Sequence, residues 1–271
     1  MRSIRIVTLN LWNDSGLAER RMESLVPALL ALSPQIIGLQ EVRARADGRG
    51  QAELIAKALR ADFRFAAVDE NSPGGPVGNA IISRFPILAT ESIPLPTLRA
   101  EDHRGAIRCD LETPAGRLAV ISTHLSWELD AAPVREQQVV VLDEWAKQRP
   151  GDIPTVMVGD FNCTPDSMVH QFLTGRASLL GRGSYWRDAY HRRHPHSDGF
   201  TWSARNPHVA RSVERNRRID YVFVGPMADR GPGAILHARV VLDLPDSSET
   251  YASDHFGVFV EIALDTVEAG L

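Results

Sequence analysis

The chain has 271 residues, 44% of them hydrophobic and 24% charged, enough apolar material to bury a large core in one big domain or two small ones. Its formal net charge of -4 excludes a general electrostatic attraction to nucleic acid or anionic membrane and leaves only a local basic patch for such partners. Two cysteines, Cys109 and Cys163, are too few for a disulfide framework and lack metal-site spacing. Met1-Arg2-Ser3-Ile4-Arg5-Ile6 enters a strand pattern directly, with no apolar leader and nowhere a stretch long enough to cross a bilayer. A complete cytoplasmic protein without stable membrane insertion is expected.

Ile4 to Leu9 reads as a buried strand ending on Asn10. Ser15 is placed to cap a helix through Leu17 to Leu32, with Leu25, Leu29 and Leu32 on one face; Pro27 must kink that helix or mark a second start. Ile36-Ile37-Gly38-Leu39 is the next strand and ends on Gln40-Glu41. A helix from about Gln51 to Leu59 and a strand near Phe63 to Val68 follow, then a loop at Asn71-Ser72-Pro73-Gly74-Gly75-Pro76. Asn79-Ala80-Ile81-Ile82 is a short strand closed by Ser83-Arg84-Phe85-Pro86.

The middle of the chain reads as antiparallel. Gly105 to Glu112 and Arg117 to Thr123 flank a hairpin turn at Thr113-Pro114-Ala115-Gly116, and the second strand ends on His124. Pro133 suits the first turn of a helix running to about Gln148. Ser167 to Leu173 predicts a short helix, and Leu180 to Arg218 is expected to be mostly loop. Asp220 to Val224, Ile235 to Leu242 and Phe256 to Ile262 complete the strands, in one two-sheet domain over 1–271 with outer helices.

The anchor of the chain is the apolar run from Thr155, which stops at Gly159-Asp160-Phe161-Asn162. In extended backbone, positions two apart share a face, so Asp160 and Asn162 point the same way while Phe161 anchors in the core. A carboxylate and a carboxamide so placed can hold and orient a water. Gly159 allows close backbone approach. Taken alone, a polar strand end with an Asx turn is the commoner arrangement. The other strand ends change this balance: Asn10, Glu41, His124, Asp220 and Asp254-His255 all stand beside apolar runs, where charge is costly unless paired or metal-bound. One shared site is the economical explanation.

Thr8-Leu9-Asn10, Ile37-Gly38-Leu39-Gln40-Glu41-Val42, Gly78 to Ile87, Ser122-Thr123-His124-Leu125, Gly159-Asp160-Phe161-Asn162, Arg218 to Val222 and Ser253-Asp254-His255 occur in this order. Together they resemble the endonuclease/exonuclease/phosphatase superfamily of metal-dependent phosphoesterases. The resemblance implies a four-layer α/β/β/α sandwich, two mixed sheets face to face with helices outside, and an active site at one end. It implies that Glu41, helped by Asn10, is the principal ligand of a hard cation, Mg²⁺ with Mn²⁺ as substitute, and offers Asp254 for a second metal position, one metal or two being left open. Asp160, positioned by Asn162, would deprotonate the attacking water; His255, held by Asp220, would contact the phosphate; His124 would stabilise the transition state from the opposite side. Arg104, at a strand start facing the same end, is a candidate phosphate clamp or a salt-bridge partner, and Asn79 matches a position near the substrate or pairs loop backbone.

His124 resembles the pancreatic-type deoxyribonucleases and the sphingomyelinase branch, but the acid that those deoxyribonucleases pair with it is missing from Gly78-Asn79-Ala80, which leaves its charge open. Arg135 and Gln138 read as structural, Cys163 as a core thiol, and His191, His194, His196, His208 and His237 as surface groups. Trp127 and Trp202 are candidates to stack on a base or line a pocket, packing being the commoner use. Arg205, Arg211, Arg215, Arg217 and Arg218 cluster before the Asp220 strand, either to recruit phosphates or as a solvated loop. The leading expectation is a phosphodiesterase acting on a phosphate ester; a metal-dependent nuclease on DNA or RNA is the alternative, and a non-catalytic binding module comes third. No protein partner is evident.

Overall fold

A computed structural model describes residues 2–45, 50–148, 152–210, 212–214, 216–225 and 231–266. The chain begins with β1 (Ser3–Asn10), α1 (Ala18–Leu32), β2 (Ile36–Arg43), α2 (Gln51–Leu59), β3 (Asp62–Asp69) and β4 (Val77–Ser83). It continues with β5 (Ile87–Pro94), β6 (Gly105–Thr113), β7 (Gly116–His124), α3 (Ala132–Gln148), β8 (Ile153–Asp160) and α4 (Met168–Leu173). It ends with β9 (Arg187–Asp188), α5 (Ala189–Arg193), β10 (Asp220–Val224), β11 (Ile235–Val241) and β12 (Gly257–Ala263).

Two six-stranded sheets result, in the orders β11-β12-β1-β2-β4-β3 and β5-β6-β7-β8-β10-β9. Each is mixed: β1 and β2 are parallel in the first, β7 and β8 in the second, and the flanking pairs are antiparallel. Central parallel strands are buried on both faces, which is why they read as unbroken apolar runs. Ile4 and Ile6 from one sheet and Ile107, Val120 and Val158 from the other fill the space between sheets. On the outer faces, Met22, Leu25 and Leu29 of α1 and Ile55 of α2 cover the first sheet, and Val139 and Leu142 of α3 with Phe172 of α4 cover the second. The architecture is therefore the four-layer α/β/β/α sandwich. Each fully buried aliphatic side chain in these layers contributes roughly 1.5–3 kcal/mol.

The sheets approach closely at Gly38, where an added Cβ would stand 2.2 Å from Val158 Cγ2. Just beyond, toward the strand ends, Gln40 Nε2 donates to Ser122 Oγ at 3.0 Å, a polar tie from one sheet to the other. Gly159 has φ 150° and packs against the Thr123 carbonyl, where a side chain has no room.

Several local expectations are corrected. Ser15 does not cap α1; its amide and hydroxyl donate to Asn13 Oδ1, and Leu17 occupies the cap position without a side-chain bond. Pro27 lies inside one continuous helix, on the exposed face, where the Glu23 carbonyl it leaves unbonded can turn to water. The strand β5 was not anticipated: it is a half-exposed edge that pairs with β6 alone and lacks an apolar face. The stretch from Leu180 to Arg218 is mostly loop, as expected, with the short β9 and α5 inside it. No helix among the described residues is long and apolar enough to cross a membrane.

Candidate active site

Strand register assembles the site. Asp160 is aligned with His124 across the parallel β7/β8 pair and with Asp220 across the antiparallel β8/β10 pair, so three polar groups meet at the strand ends of the second sheet. Asn10 and Glu41 arrive from the ends of β1 and β2 in the first sheet. A register shift between Leu39 and Val42, with Glu41 at φ 49°, bends β2 outward and re-aims the Glu41 side chain. Asp254 and His255 precede β12. A cavity of about 370 Å³ is lined by Glu41, His124, Asp160, Asn162, Asp254 and His255, with Trp12, Asn13, Trp127 and Trp202 on its walls.

Asp160 is at its centre and is buried. Its Oδ2 accepts from Asn10 Nδ2 at 3.1 Å and lies 3.4 Å from His124 Nε2 and 3.7 Å from His255 Nε2. Its Oδ1 accepts from the Asn162 amide at 2.9 Å. Burial and the neighbouring Asp220 push this carboxyl up to about 7, against the pull of His255. The expectation that extended backbone aligns Asp160 with Asn162 is corrected: Asn162 turns into the left-handed region at φ 47°, closing an Asx turn, and its side chain reaches the same cavity by that turn. Asx turn and site group coexist at one position.

Asn162 Nδ2 lies 3.0 Å from His124 Nε2 and donates to the Leu125 carbonyl at 3.0 Å. An amide nitrogen can only donate, so His124 Nε2 accepts and the neutral ring carries its proton on Nδ1. Burial, then Arg104 and His255, hold His124 well below the usual imidazole value. His255 is the opposite case. Burial disfavours its charged form, but Asp220 and Asp160 outweigh that and raise it well above the usual value; its Nδ1 stands 2.9 Å from Asp220 Oδ2. Asp220 Oδ1 is buried and accepts no hydrogen bond from a described residue.

Glu41 is gripped from both sides: Oε1 accepts from Asn10 Nδ2 and Oε2 from Asn13 Nδ2, each at 3.0 Å. The Asn10 carboxamide oxygen accepts from the Trp12 amide at 2.9 Å, so Asn10 bridges Glu41 and Asp160 with its nitrogen and shapes the following loop with its oxygen. Asp254 is buried, and burial together with Glu41 pushes its carboxyl up to about 6. Two groupings therefore offer metal donors. Asp160, Asp220 and His255 present atoms within 4.8 Å of one another, but two of these are already joined and the histidine is cationic. Glu41 and Asp254 present oxygens alone, one of them a quarter exposed, and repel each other, although His255 and Arg21 partly offset this at Asp254. The second set fits a hard divalent ion better.

Arg104 and Asn79 lie outside the central cavity and line an adjoining one of about 370 Å³ that shares Glu41, His124, Asn13 and Trp127 with it. Arg104 Nε stands 2.9 Å from Asp102 Oδ1, and Asn79 Nδ2 donates to the Gly105 carbonyl at 2.9 Å across the two sheets. Both groups are thus engaged by the protein. Arg135 and Gln138 are structural, bonding to the backbone at Ser126. Cys163 is a buried core thiol pushed up to about 12 by burial.

The arginine cluster is corrected in part. Arg218 is buried, donating to Asp188 Oδ2, which also faces His170 Nε2 at 2.9 Å; Arg176 Nη2 lies 2.9 Å from His170 Nδ1. Burial alone would raise Asp188, yet His170 and Arg218 hold it at about 2. Arg217 pairs with Glu214, and Arg205 lies over the Phe256 ring. Arg211 and Arg215 lie outside the described residues. Asn13 was missed as a site residue; its one signal is a second asparagine three positions after Asn10.

The model of the Endonuclease/Exonuclease/phosphatase family matches residues 7–255. YbhP of Escherichia coli (strain K12), described as uncharacterized, is 28% identical over 174 residues, 59% of this chain and 67% of that protein. The solved structure of D. rerio TDP2 complexed with single strand DNA product has a TM-score of 0.78 at 19% identity, over 97% of this chain and 100% of that one. The human Nocturnin catalytic domain with bound sulfate anion gives 0.70 at 21% identity, over 96% and 93%. These two structures share the fold. With strand order, site and a match running from residue 7 to residue 255, the chain belongs to the endonuclease/exonuclease/phosphatase family.

Proposed function

We propose that this chain is a divalent-cation-dependent hydrolase of phosphate esters, foremost a phosphodiesterase, using water as the nucleophile. The observation that carries this reading is the geometry of a buried carboxyl, Asp160, flanked within 3.7 Å by His124 and His255, with burial and Asp220 raising its pKa toward neutrality. A base poised near neutrality takes a proton from water and gives it up again within one turnover. Asn162 orients that base through its amide and fixes the His124 tautomer through its carboxamide. Cationic His255, its Nδ1–H held by Asp220, directs Nε2–H at a phosphoryl oxygen on the Asp160 side. Neutral His124 offers Nδ1–H on the Glu41 side, 3.9 Å from Oε1.

Glu41 and Asp254 would hold Mg²⁺, or Mn²⁺ in its place; when bound, the ion supplies neutralisation of charge developing on the phosphoryl and leaving oxygens. Asn10 and Asn13 keep the Glu41 oxygens apart and aimed at the cavity. Arg104 and Asn79 border the adjoining cavity, where the remainder of the ester would lie. A cytoplasmic location goes with this reading, supported by two buried thiols that remain free.

The test is a panel of nucleic acids, phospholipids, sugar phosphates and inositol phosphates, with a general diester, in Mg²⁺ and in Mn²⁺. Product release that depends on the ion and vanishes in Asp160→Asn or His255→Ala protein is expected; equal turnover by the wild type in chelator would sink the reading. A nuclease is the second reading, favoured by Trp127, 62% exposed at the junction of the two cavities and open to stack on a base. Strand cleavage, with binding that weakens steeply as salt rises, would select it.

A further inference from the structure

Arg21 belongs to the first turns of α1, yet it is only 2% exposed. A guanidinium so far from water needs acceptors for its donors, and none of the ion pairs among the described residues includes it. Backbone carbonyls serve instead. Nη1 donates to Leu11 O at 2.7 Å and Ala252 O at 3.2 Å; Nη2 donates to Asn13 O at 3.0 Å and Ser15 O at 2.8 Å. The guanidinium also lies 5.1 Å from the centre of the Trp12 ring.

The loop it grips is strained. Trp12 and Asn13 are both left-handed, at φ 55° and 39°, a conformation that side chains of this size hold only when their surroundings fix it. That conformation is what carries Asn13 Nδ2 to Glu41 Oε2. The other segment gripped by Arg21 leads through Ala252 to Asp254, and Ser253 Oγ donates to the Asn10 carbonyl at 2.6 Å, closing the same ring of contacts. One side chain therefore ties the segment that clasps Glu41 to the segment that bears Asp254.

We propose that Arg21 is a positioning residue for the cation-binding face of the site, holding the 11–15 loop and the 252–254 segment in the one arrangement that presents Glu41 and Asp254 together. This rests on the cation reading of the preceding subsection. Its positive charge opposes a bound cation, but that charge is spread over carbonyl dipoles, whereas losing the grip frees both carboxylates at once; the loss of geometry outweighs the relief of repulsion.

The experiment compares wild type, Arg21→Lys and Arg21→Met by calorimetric titration with Mn²⁺, by thermal melting, and by hydrogen exchange of the 12–15 amides without metal. Lysine keeps the charge and loses the fork. Both variants are expected to melt cooperatively, to exchange those amides faster and to bind Mn²⁺ on the order of ten- to a hundredfold more weakly, with turnover at saturating Mn²⁺ much less affected. Wild-type affinity with wild-type exchange, or tighter binding by Arg21→Met, overturns the proposal. Should neither variant fold, Gln51→Ala loosens the same loop from outside, since Gln51 Nε2 donates to Asn13 O at 2.7 Å. A smaller change of the same sign supports the proposal, and no change overturns it. Failure of the wild type to bind Mn²⁺ would strike the cation reading, and the exchange data would then decide alone whether Arg21 holds the loop.

Discussion

Two buried histidine–aspartate pairs lie on either side of the Arg218-Ile219-Asp220 stretch. His255 faces Asp220 at 2.9 Å, and His170 faces Asp188 at 2.9 Å. The second pair is closed by arginines: Arg218 donates to the same Asp188 oxygen and Arg176 stands against the far ring nitrogen of His170. There the carboxyl falls to about 2 and the imidazole is lowered, chiefly by burial. The first pair is met by another acid, Asp160, in place of an arginine; burial, then Asp220, push that carboxyl up to about 7, and Asp220 with Asp160 raises His255. The same two residue types, equally deep, make a settled ion cluster in one place and a proton-handling one in the other. The third partner decides which.

The strongest way to break this comparison is to change the acids. Asp160→Asn should lower turnover by roughly 10²–10⁴-fold while the melting transition stays cooperative, because the proposed general base is lost and the shape kept; turnover within a few fold of wild type would break the comparison. Asp188→Asn should do the reverse. It leaves Arg218 charged and buried without its carboxylate, at a loss of about 3–5 kcal/mol in stability, with turnover per folded molecule little changed. Denaturant melts beside active-site titration would separate the two effects.

Acid unfolding sharpens the contrast. Asp188 titrates at about 2 folded against an ordinary 3.8, so the unfolded chain binds the extra proton between these values. Its stabilisation is full above roughly pH 4 and is lost as pH falls toward 2. His170, held below 6.5, adds in the same direction, since the unfolded chain takes up its proton first. The wild type should lose stability through this range, and Asp188→Asn should show a flatter acid limb in melting temperature against pH. Asp160 carries the opposite sign: a carboxyl raised in the folded state favours folding at low pH and loses that contribution as pH rises through about 7. The smallest expected effect is at the rim. Trp127→Ala, at an exposed position, should raise KM by the equivalent of about 1 kcal/mol and leave kcat and melting temperature nearly unchanged.

The active-site pair was legible in the sequence and the ion cluster was not, for a physical reason. Asp160, Asp220 and His255 each sit at the end of a buried apolar strand, where a charged residue stands out against its neighbours. His170 lies on a six-residue helix and Asp188 on a two-residue strand, too short for any periodicity to mark them, and Arg218 reads like the loop arginines around it. The sandwich was legible for the same reason as the site, through its unbroken apolar strands, whereas the half-exposed β5 left no such trace. Asn13 and Arg21 were hidden by backbone conformation: nothing in the residue string announces two successive left-handed positions or an arginine turned inward from a helix.

Gly38 lies two residues before Gln40 on the strand that delivers Glu41, at a point where the sheets press close together. It works as the pivot of a pair of jaws: Glu41 is carried on one jaw and Asp160 on the other, and Asn10 spans the gap between them. A methyl group inserted at the pivot would act as a wedge, prising the tips apart without touching any group that lines the candidate site. The spacing of the candidate site is therefore set from below, by an atom that is absent, and a chain intact in every residue of that site could still lose its arrangement.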